Sequence, residues 1–465
     1  MPLFTLEEVI AATSGQLLLR GPFSQFSAVS TDTRALQMGD LFIAIRGERW
    51  NGHDFLSDAL KAGAAGVIVE QAVPGVRRSR EYPPSGDWAV IEVTDTLYAL
   101  GKLAQYHRER FHIPVVGITG SAGKTTTKEM TAAILEQGRN ILKSQGNFNN
   151  EIGLPLTLLK LTAEHQAAVL EFGMRGRGQI GYLAALSHPT IGVITNIGLT
   201  HLELLGSQEE IALAKAELLD ELTPRSTAVL PAGDAFFPLL REHAPGPVVT
   251  FGEESTADFS SADIHLAEDG CAHFLLRGLG RETPVTLGTP GRHQVWNALA
   301  AAAAALTAGA TLDDVQAGLA GYRAVQGRMQ THAAPRGFRV VDDTYNANPT
   351  ALRATLHFLA EVPGGRKIAI LGDMRELGVE ALRQHREIGR YAMELGLDAL
   401  LAVGDLGKEY VAGADDPRAA WFPDNAAAAH AALEMLTPGD VVLVKGSRAM
   451  HMEDIVAALL TENGG

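Results

Sequence analysis

Residues 113–129 read IPVVGITGSAGKTTTKE, and the placement of their glycines decides what kind of sheet the rest of the chain must build. An apolar run, IPVV, leads into a glycine-rich turn that ends in Gly-Lys-Thr and opens onto a helical stretch reaching about Glu136. A strand, a tight turn and a helix in that order form the start of a parallel α/β unit. Gly120 and Gly123 let backbone N–H groups turn inward toward phosphate oxygens, which a Cβ would hinder. Lys124 supplies a positive charge for terminal phosphates, Thr125 a hydroxyl suited to Mg²⁺, and the helix its positive N-terminal end. The usual G-x-x-x-x-G-K-[ST] spacing would put the first glycine at 118, where this chain has Ile118; the glycines stand at 117, 120 and 123. A variant phosphate-binding loop is therefore expected.

Outward from the loop, three regions differ in pattern. Residues 1–88 contain the strand-like runs DLFIAI (40–45) and AGVIVE (65–70) around a helical HDFLSDALKAG, then the Pro/Gly-rich VPGVRRSREYPPSGD, which reads as an exposed loop. From 89 to 326 strands and helices alternate, with AAVLEF (167–172) and IGVITNI (191–197) as further apolar runs. From 327 to 465 the rhythm repeats through FRVVDD, KIAILGD, DALLAVGD and DVVLVKGS. The expectation is an α/β chain of three domains. These are a small mixed N-terminal domain, a central parallel-sheet domain carrying the loop, and a C-terminal Rossmann-like doubly wound domain.

The 465 residues carry a net charge of −15, which argues against binding nucleic acid or a membrane surface. A single cysteine, Cys271, permits no internal disulfide, and a reducing cytoplasmic setting is expected. The N-terminal MPLFTLEEVIAATSG lacks the pattern of a signal peptide. The alanine-rich NALAAAAAALTAGATL (297–312) is too short to span a bilayer and reads as a tightly packed helix.

Three further positions bear on chemistry. Glu171 ends a predicted strand, where its carboxylate could serve a metal beside the loop. His201 follows another strand and is weak on its own. Lys215 falls with Ile211, Leu218 and Leu222 on one helical stripe, so it either snorkels or loses its charge by desolvation. A neutral amine there could react with CO₂ to give a carbamate.

Together these stretches resemble the Mur ligases, ATP-dependent amide ligases of peptidoglycan precursor synthesis. The resemblance runs through STDTR (30–34), GDLFIAIRGERWNGHDF, the glycine loop, NFNNEIGLPLTLL (147–159), EFGMRGRG and NIGLTHLELLGS. It continues through GRHQVWNALAAAA (291–303), GRM (327–329), VDDTYNANPTAL (342–352), ILGDMRELG (370–378) and VLVKGSRAMHMEDIV (442–456). Among the family's members the chain looks most like those that add D-Ala-D-Ala to UDP-N-acetylmuramoyl-tripeptide. The alternative is the sibling that adds a diamino acid at the third position, whose Asp-[Asp/Asn]-Pro-Arg signature has a near-match in DDPR (415–418). That near-match sits between a helical stretch and the strand-like AAWF, and reads as a coincidental turn.

The resemblance implies roles residue by residue. Thr119, Gly120, Ser121, Ala122, Gly123, Lys124, Thr125 and Thr126 would hold the ATP phosphates, with Lys124 at the γ-phosphate. Thr125 and Glu171 would hold one Mg²⁺, and His201 with a carbamylated Lys215 a second. His293 and Asn297 would border adenine, with Arg328 and Asp343 at phosphates and ribose. Ser30, Asp32 and Arg34 would meet the UDP end of the substrate, and Asn149 and Asn150 its sugar–peptide part. Tyr345, Asn346, Lys445, Ser447 and Arg448 would position the peptide substrates. A monomer is expected, closing about residues 310–330.

Overall fold

In a computed structural model, residues 2–47, 49–70 and 88–461 are described. The stretch 73–87, expected to be an exposed loop, lies outside them. The chain divides into two compact units: 1–115 with 142–173 and 181–189, and 116–141 with 174–180 and 190–465.

The first unit holds a five-stranded sheet in the order Gln16–Leu19, Ala89–Val93, Gly66–Glu70, Leu41–Ile43, Val29–Ser30. The last four run parallel and Gln16–Leu19 is an antiparallel edge. DLFIAI and AGVIVE are continuous apolar runs because both faces of their strands are covered. Helix Thr96–Arg108 starts at Asp95, whose side chain accepts the N–H of Tyr98. Its Gly101 is required by packing, since a Cβ there would stand 2.1 Å from the Tyr182 hydroxyl.

The second unit contains two sheets. In one, Val115–Thr119, Ile191–Ile194, Thr227–Pro231 and Val248–Gly252 lie side by side and parallel. Behind the glycine-loop helix Lys124–Leu135 packs Gln294–Thr307, whose alanines 298 and 300–305 are fully buried. Side chains no larger than a methyl group let the two helices approach closely. Beyond Val248–Gly252 the sheet continues through Phe259–Leu266, Cys271–Gly278 and Arg281–Pro290, the last two joining antiparallel. This antiparallel extension departs from the expected strand–helix alternation. Its burial alternates residue by residue, so its strands present no continuous apolar run.

The other sheet is six-stranded, in the order Gln330–Ala333, Arg339–Asp342, Val441–Lys445, Lys367–Gly372, Ala399–Val403, Ala419–Phe422. All but the first strand are parallel. The chain steps outward to Ala419–Phe422 and then returns to insert Val441–Lys445 beside the first parallel strand. Apolar clusters cover both faces, one under the helices Pro349–Glu361, Ala381–Glu394 and Gly407–Ala414, the other under Asn425–Met435 and Glu453–Leu460. This is the expected doubly wound pattern, and it gathers the loops after Asp342, Gly372 and Lys445 at one sheet edge.

Candidate phosphate and metal site

The glycine loop is built by close contacts as much as by glycine's freedom. Gly120 has φ +150° and Gly123, which caps helix Lys124–Leu135, has φ +80°. A Cβ at Gly120 would fall 1.9 Å from Thr195 Oγ1, and one at Gly123 2.2 Å from Asn297 Oδ1. Between them the loop is clamped by residues after the neighbouring strand. Ser121 N–H donates to the Asn196 carbonyl (3.0 Å) and Ala122 N–H to Asn196 Oδ1 (2.9 Å). Thr195 Oγ1 and Asn196 Nδ2 donate to the Ala122 carbonyl, at 2.6 and 3.0 Å. Ser121 Oγ donates to the Gly198 carbonyl and accepts the Gly198 N–H. Thr195 and Asn196 were not among the expected site residues; the polar Thr-Asn pair ending an apolar strand was the available signal. Lys124 Nζ folds back to donate to the Gly120 carbonyl at 2.7 Å. Thr119, Thr125 and Thr126 are buried at the loop's two ends.

Asn297 is placed against the loop. Its Nδ2 donates to Gln294 Oε1, and its Oδ1 faces Gly123. His293, one turn earlier, has its Nδ1 shut away from solvent without a partner. The residue is partly buried, desolvation dominates, and its pKa is held down to about 4, with Lys445 contributing.

Lys215, on helix Gln208–Asp220, does not snorkel: it is 1% exposed. Among the described residues no carboxylate pairs with it. Burial first, then the like charge of Lys124, depresses its pKa well below the ordinary lysine value. His201, in the left-handed region at φ +58°, has Nδ1 2.5 Å from Glu376 Oε2.

At the edge of the doubly wound sheet, Lys445 Nζ donates to Asp343 Oδ2 (2.5 Å) and the Asn346 carbonyl (2.8 Å) and is almost wholly buried. Asp343 Oδ1 accepts the Met329 N–H, and the Arg328 guanidinium lies 4.1 Å from the centre of the Tyr345 ring. Asp343, Tyr345, Asn346, Lys445 and Arg328 thus form one cluster. As placed, Lys445 acts as a strut under the loop. Ser447 Oγ accepts the Arg375 N–H, while Arg448 is exposed and pairs with Glu453. DDPR lies between helix Gly407–Ala414 and strand Ala419–Phe422, at the start of that strand and so at the edge opposite these loops. Its Arg418 pairs with Asp416 at 2.7 Å, making a locally closed turn.

In the first unit Asn149 Nδ2 donates to the buried Glu171 Oε1 at 2.8 Å, joining two expected residues. Asn150 Oδ1 accepts the Gly153 N–H at the start of a short helix. Ser30, Asp32 and Arg34 form a compact turn, in which Arg34 holds the Asp32 carboxyl down to about 2. Among the described residues, no group of three or more His, Cys, Asp or Glu is arranged to hold a metal. The hydroxyl and carboxylate expected at one metal are hard oxygen donors of the kind Mg²⁺ takes, while the His201 imidazole is a softer nitrogen donor.

This chain belongs to the Mur ligase family. Its residues 25–108 match the family model described as Mur ligase family, catalytic domain, 118–305 the Mur ligase middle domain, and 327–448 the Mur ligase, glutamate ligase domain. A Synechocystis UDP-N-acetylmuramoyl-tripeptide–D-alanyl-D-alanine ligase is 40% identical over 94% of this chain and 92% of its own. A crystal structure of MurF from Acinetobacter baumannii superposes with a TM-score of 0.91 at 34% identity, covering 99% of each chain. MurF ligase from Thermotoga maritima in complex with ADP gives 0.82 at 30% identity, covering 93% of this chain and 96% of that one.

Proposed function

We propose that this chain is an ATP-dependent amide ligase that joins D-Ala-D-Ala to the terminal carboxylate of UDP-N-acetylmuramoyl-tripeptide. The products are the pentapeptide precursor, ADP and phosphate. The observation that carries this reading is the glycine loop 119–126, clamped by Thr195 and Asn196, in a chain similar along its length to ligases named for that reaction.

A free carboxylate is a poor acyl donor because an oxide would have to leave. Transfer of the γ-phosphoryl group to it gives an acyl phosphate with a good leaving group. The dipeptide amine then attacks the carbonyl carbon, and phosphate departs as the C–N bond forms. Lys124, released from the Gly120 carbonyl, would neutralise charge on the phosphoryl oxygens, while the loop N–H groups hold the rest in line. Mg²⁺ held by Thr125 and Glu171, with a second ion at His201 and Lys215, would supply further charge neutralisation. Lys215 fits the carbamate role because its amine is desolvated and, among the described residues, paired with no carboxylate. The lone pair of its neutral amine would attack CO₂ and release a proton, leaving a carbamate anion in place of that amine. The Asp343–Lys445 strut, with Arg328 and Tyr345 beside it, fits a role in holding nucleotide and peptide at the sheet edge. Residues 1–88 would take the UDP end, 89–326 ATP and 327–465 the dipeptide, in the cytoplasm.

The test is phosphate release by purified protein with ATP, UDP-N-acetylmuramoyl-tripeptide and D-Ala-D-Ala. Release must require both substrates, and a diamino acid offered with the dipeptide acceptor must not replace them. Lys124→Ala should lower kcat by about 10²–10³-fold, judged against losses of one preorganised charge-stabilising donor. Full activity in that variant would remove the loop from the mechanism.

A further inference from the structure

Glu376 takes part in no step above. It follows strand Lys367–Gly372 in the segment Asp373–Gly378, and its Oε2 stands 2.5 Å from His201 Nδ1. The approach is not aligned as a hydrogen bond, so the contact is one of charge and proximity. The backbones are tied on both sides of it. Glu203 N–H donates to the Glu376 carbonyl at 3.3 Å, and a Cβ on Gly378 would stand 3.1 Å from Glu203 Cα.

Two observations separate this contact from an ordinary surface ion pair. Glu376 is half exposed, and pairs at such positions add little to folding. Yet Glu376 at φ +66° and His201 at φ +58° both occupy the left-handed region, which non-glycine residues seldom adopt. Conformations of this kind cluster at functional sites. The contact is also close to the phosphate loop. Ser121 of the loop is bonded to Gly198, three residues before His201, and the charges of Lys124 and Arg175 both act on the Glu376 carboxylate.

We infer that Glu376 is a positioning residue: its carboxylate draws the His201 proton onto Nδ1 and so presents the Nε2 lone pair to the divalent metal of a bound nucleotide. The inference rests on the proposed reading of His201 as a metal ligand. A carboxylate behind a ligating imidazole fixes both tautomer and ring orientation. Because Glu376 comes from the doubly wound sheet and His201 from the loop's sheet, the metal site would be complete only while segment 373–378 is docked on segment 198–206.

The experiment is Mn²⁺ binding to the full-length protein·ADP complex, followed by electron paramagnetic resonance with no acyl substrate present, for wild type, Glu376→Gln and Glu376→Asp. Glu376→Gln should bind Mn²⁺ roughly 10–100-fold more weakly, with metal-free ADP affinity and the melting temperature unchanged. Glu376→Asp should recover part of the loss, and in turnover kcat should fall while the KM values for precursor and dipeptide hold. Equal Mn²⁺ affinity in Glu376→Gln and wild type would overturn the inference, as would an equal loss of metal-free ADP binding. If Mn²⁺ binding falls as expected but wild type forms no amide from these substrates, the ligase reading fails and the role of Glu376 stands.

Discussion

Two buried lysines of the second unit have opposite surroundings. Lys445, at the end of strand Val441–Lys445, is enclosed with Asp343 and the Asn346 carbonyl, so its charge is met by an anion and a dipole. Lys215, in the middle of helix Gln208–Asp220, is buried with a second lysine, Lys124, as the charge acting on it. The first environment stabilises an ammonium group and fixes a loop. The second disfavours the ammonium. Burial alone does not assign a lysine's role; the charge opposite it does.

The largest effect should come from breaking the paired site. Lys445→Met strands the Asp343 carboxylate, and removal of one partner of a buried pair costs about 3–5 kcal/mol. Chemical denaturation should show that loss, and Asp343→Asn in the same chain should restore much of it. An unchanged midpoint in Lys445→Met would mean that the pair is not the strut described here.

The matching change at the other lysine should have the opposite sign. Lys215→Met keeps the volume and removes an amine whose protonated form is costly to bury, so the unliganded protein should be unchanged or stabler by about 1 kcal/mol while activity is lost. The sign with pH follows from the depressed pKa. The unfolded chain binds the proton more readily, so wild type gains stability as pH rises toward the ordinary lysine value. The advantage of Lys215→Met should therefore shrink at high pH; an advantage that grew would contradict the burial argument. Small carboxylates restoring activity to Lys215→Ala would sharpen the comparison by supplying the missing anion.

A smaller effect is expected at His293, held neutral beside the same loop. Its pKa of about 4 lies below the unfolded value near 6.5, so its contribution is complete above pH 6.5 and is lost as pH falls toward 4. His293→Gln should flatten the stability profile in that window, checked by thermal melts across it. Smallest of all is Asp32→Asn. The Asp32–Arg34 pair is exposed, and the melting midpoint should shift by no more than about 0.5 kcal/mol equivalent. Any larger effect would have to appear in precursor binding.

Much of this arrangement was legible in one dimension. The strand, glycine turn and helix at 113–136 could be read because glycine permissiveness and helix polarity act over neighbouring residues. The parallel strands at 339, 367, 399 and 441 could be read because burial on both faces leaves continuous apolar runs. Lys215 stood out because a charge on an apolar stripe conflicts with helical periodicity. The antiparallel strands at 259–290 were missed, since alternating burial leaves no such run.

What the residue order left open depends on long-range placement. It marked Lys215 and Lys445 as lysines of interest without distinguishing them, because the charges that act on them, the like charge of Lys124 and the opposite charge of Asp343, lie 91 and 102 residues away. It marked the loop's glycines, but the side chains that crowd them, Thr195 and Asn297, arrive from a neighbouring strand and a distant helix. His201 met Glu376 only through the docking of one sheet's loop on another's. Local sterics, periodicity and helix polarity are properties of neighbouring residues, so the sequence carries them directly. Desolvation and Coulomb pairing depend on distance in space, and that distance exists only once the chain has folded.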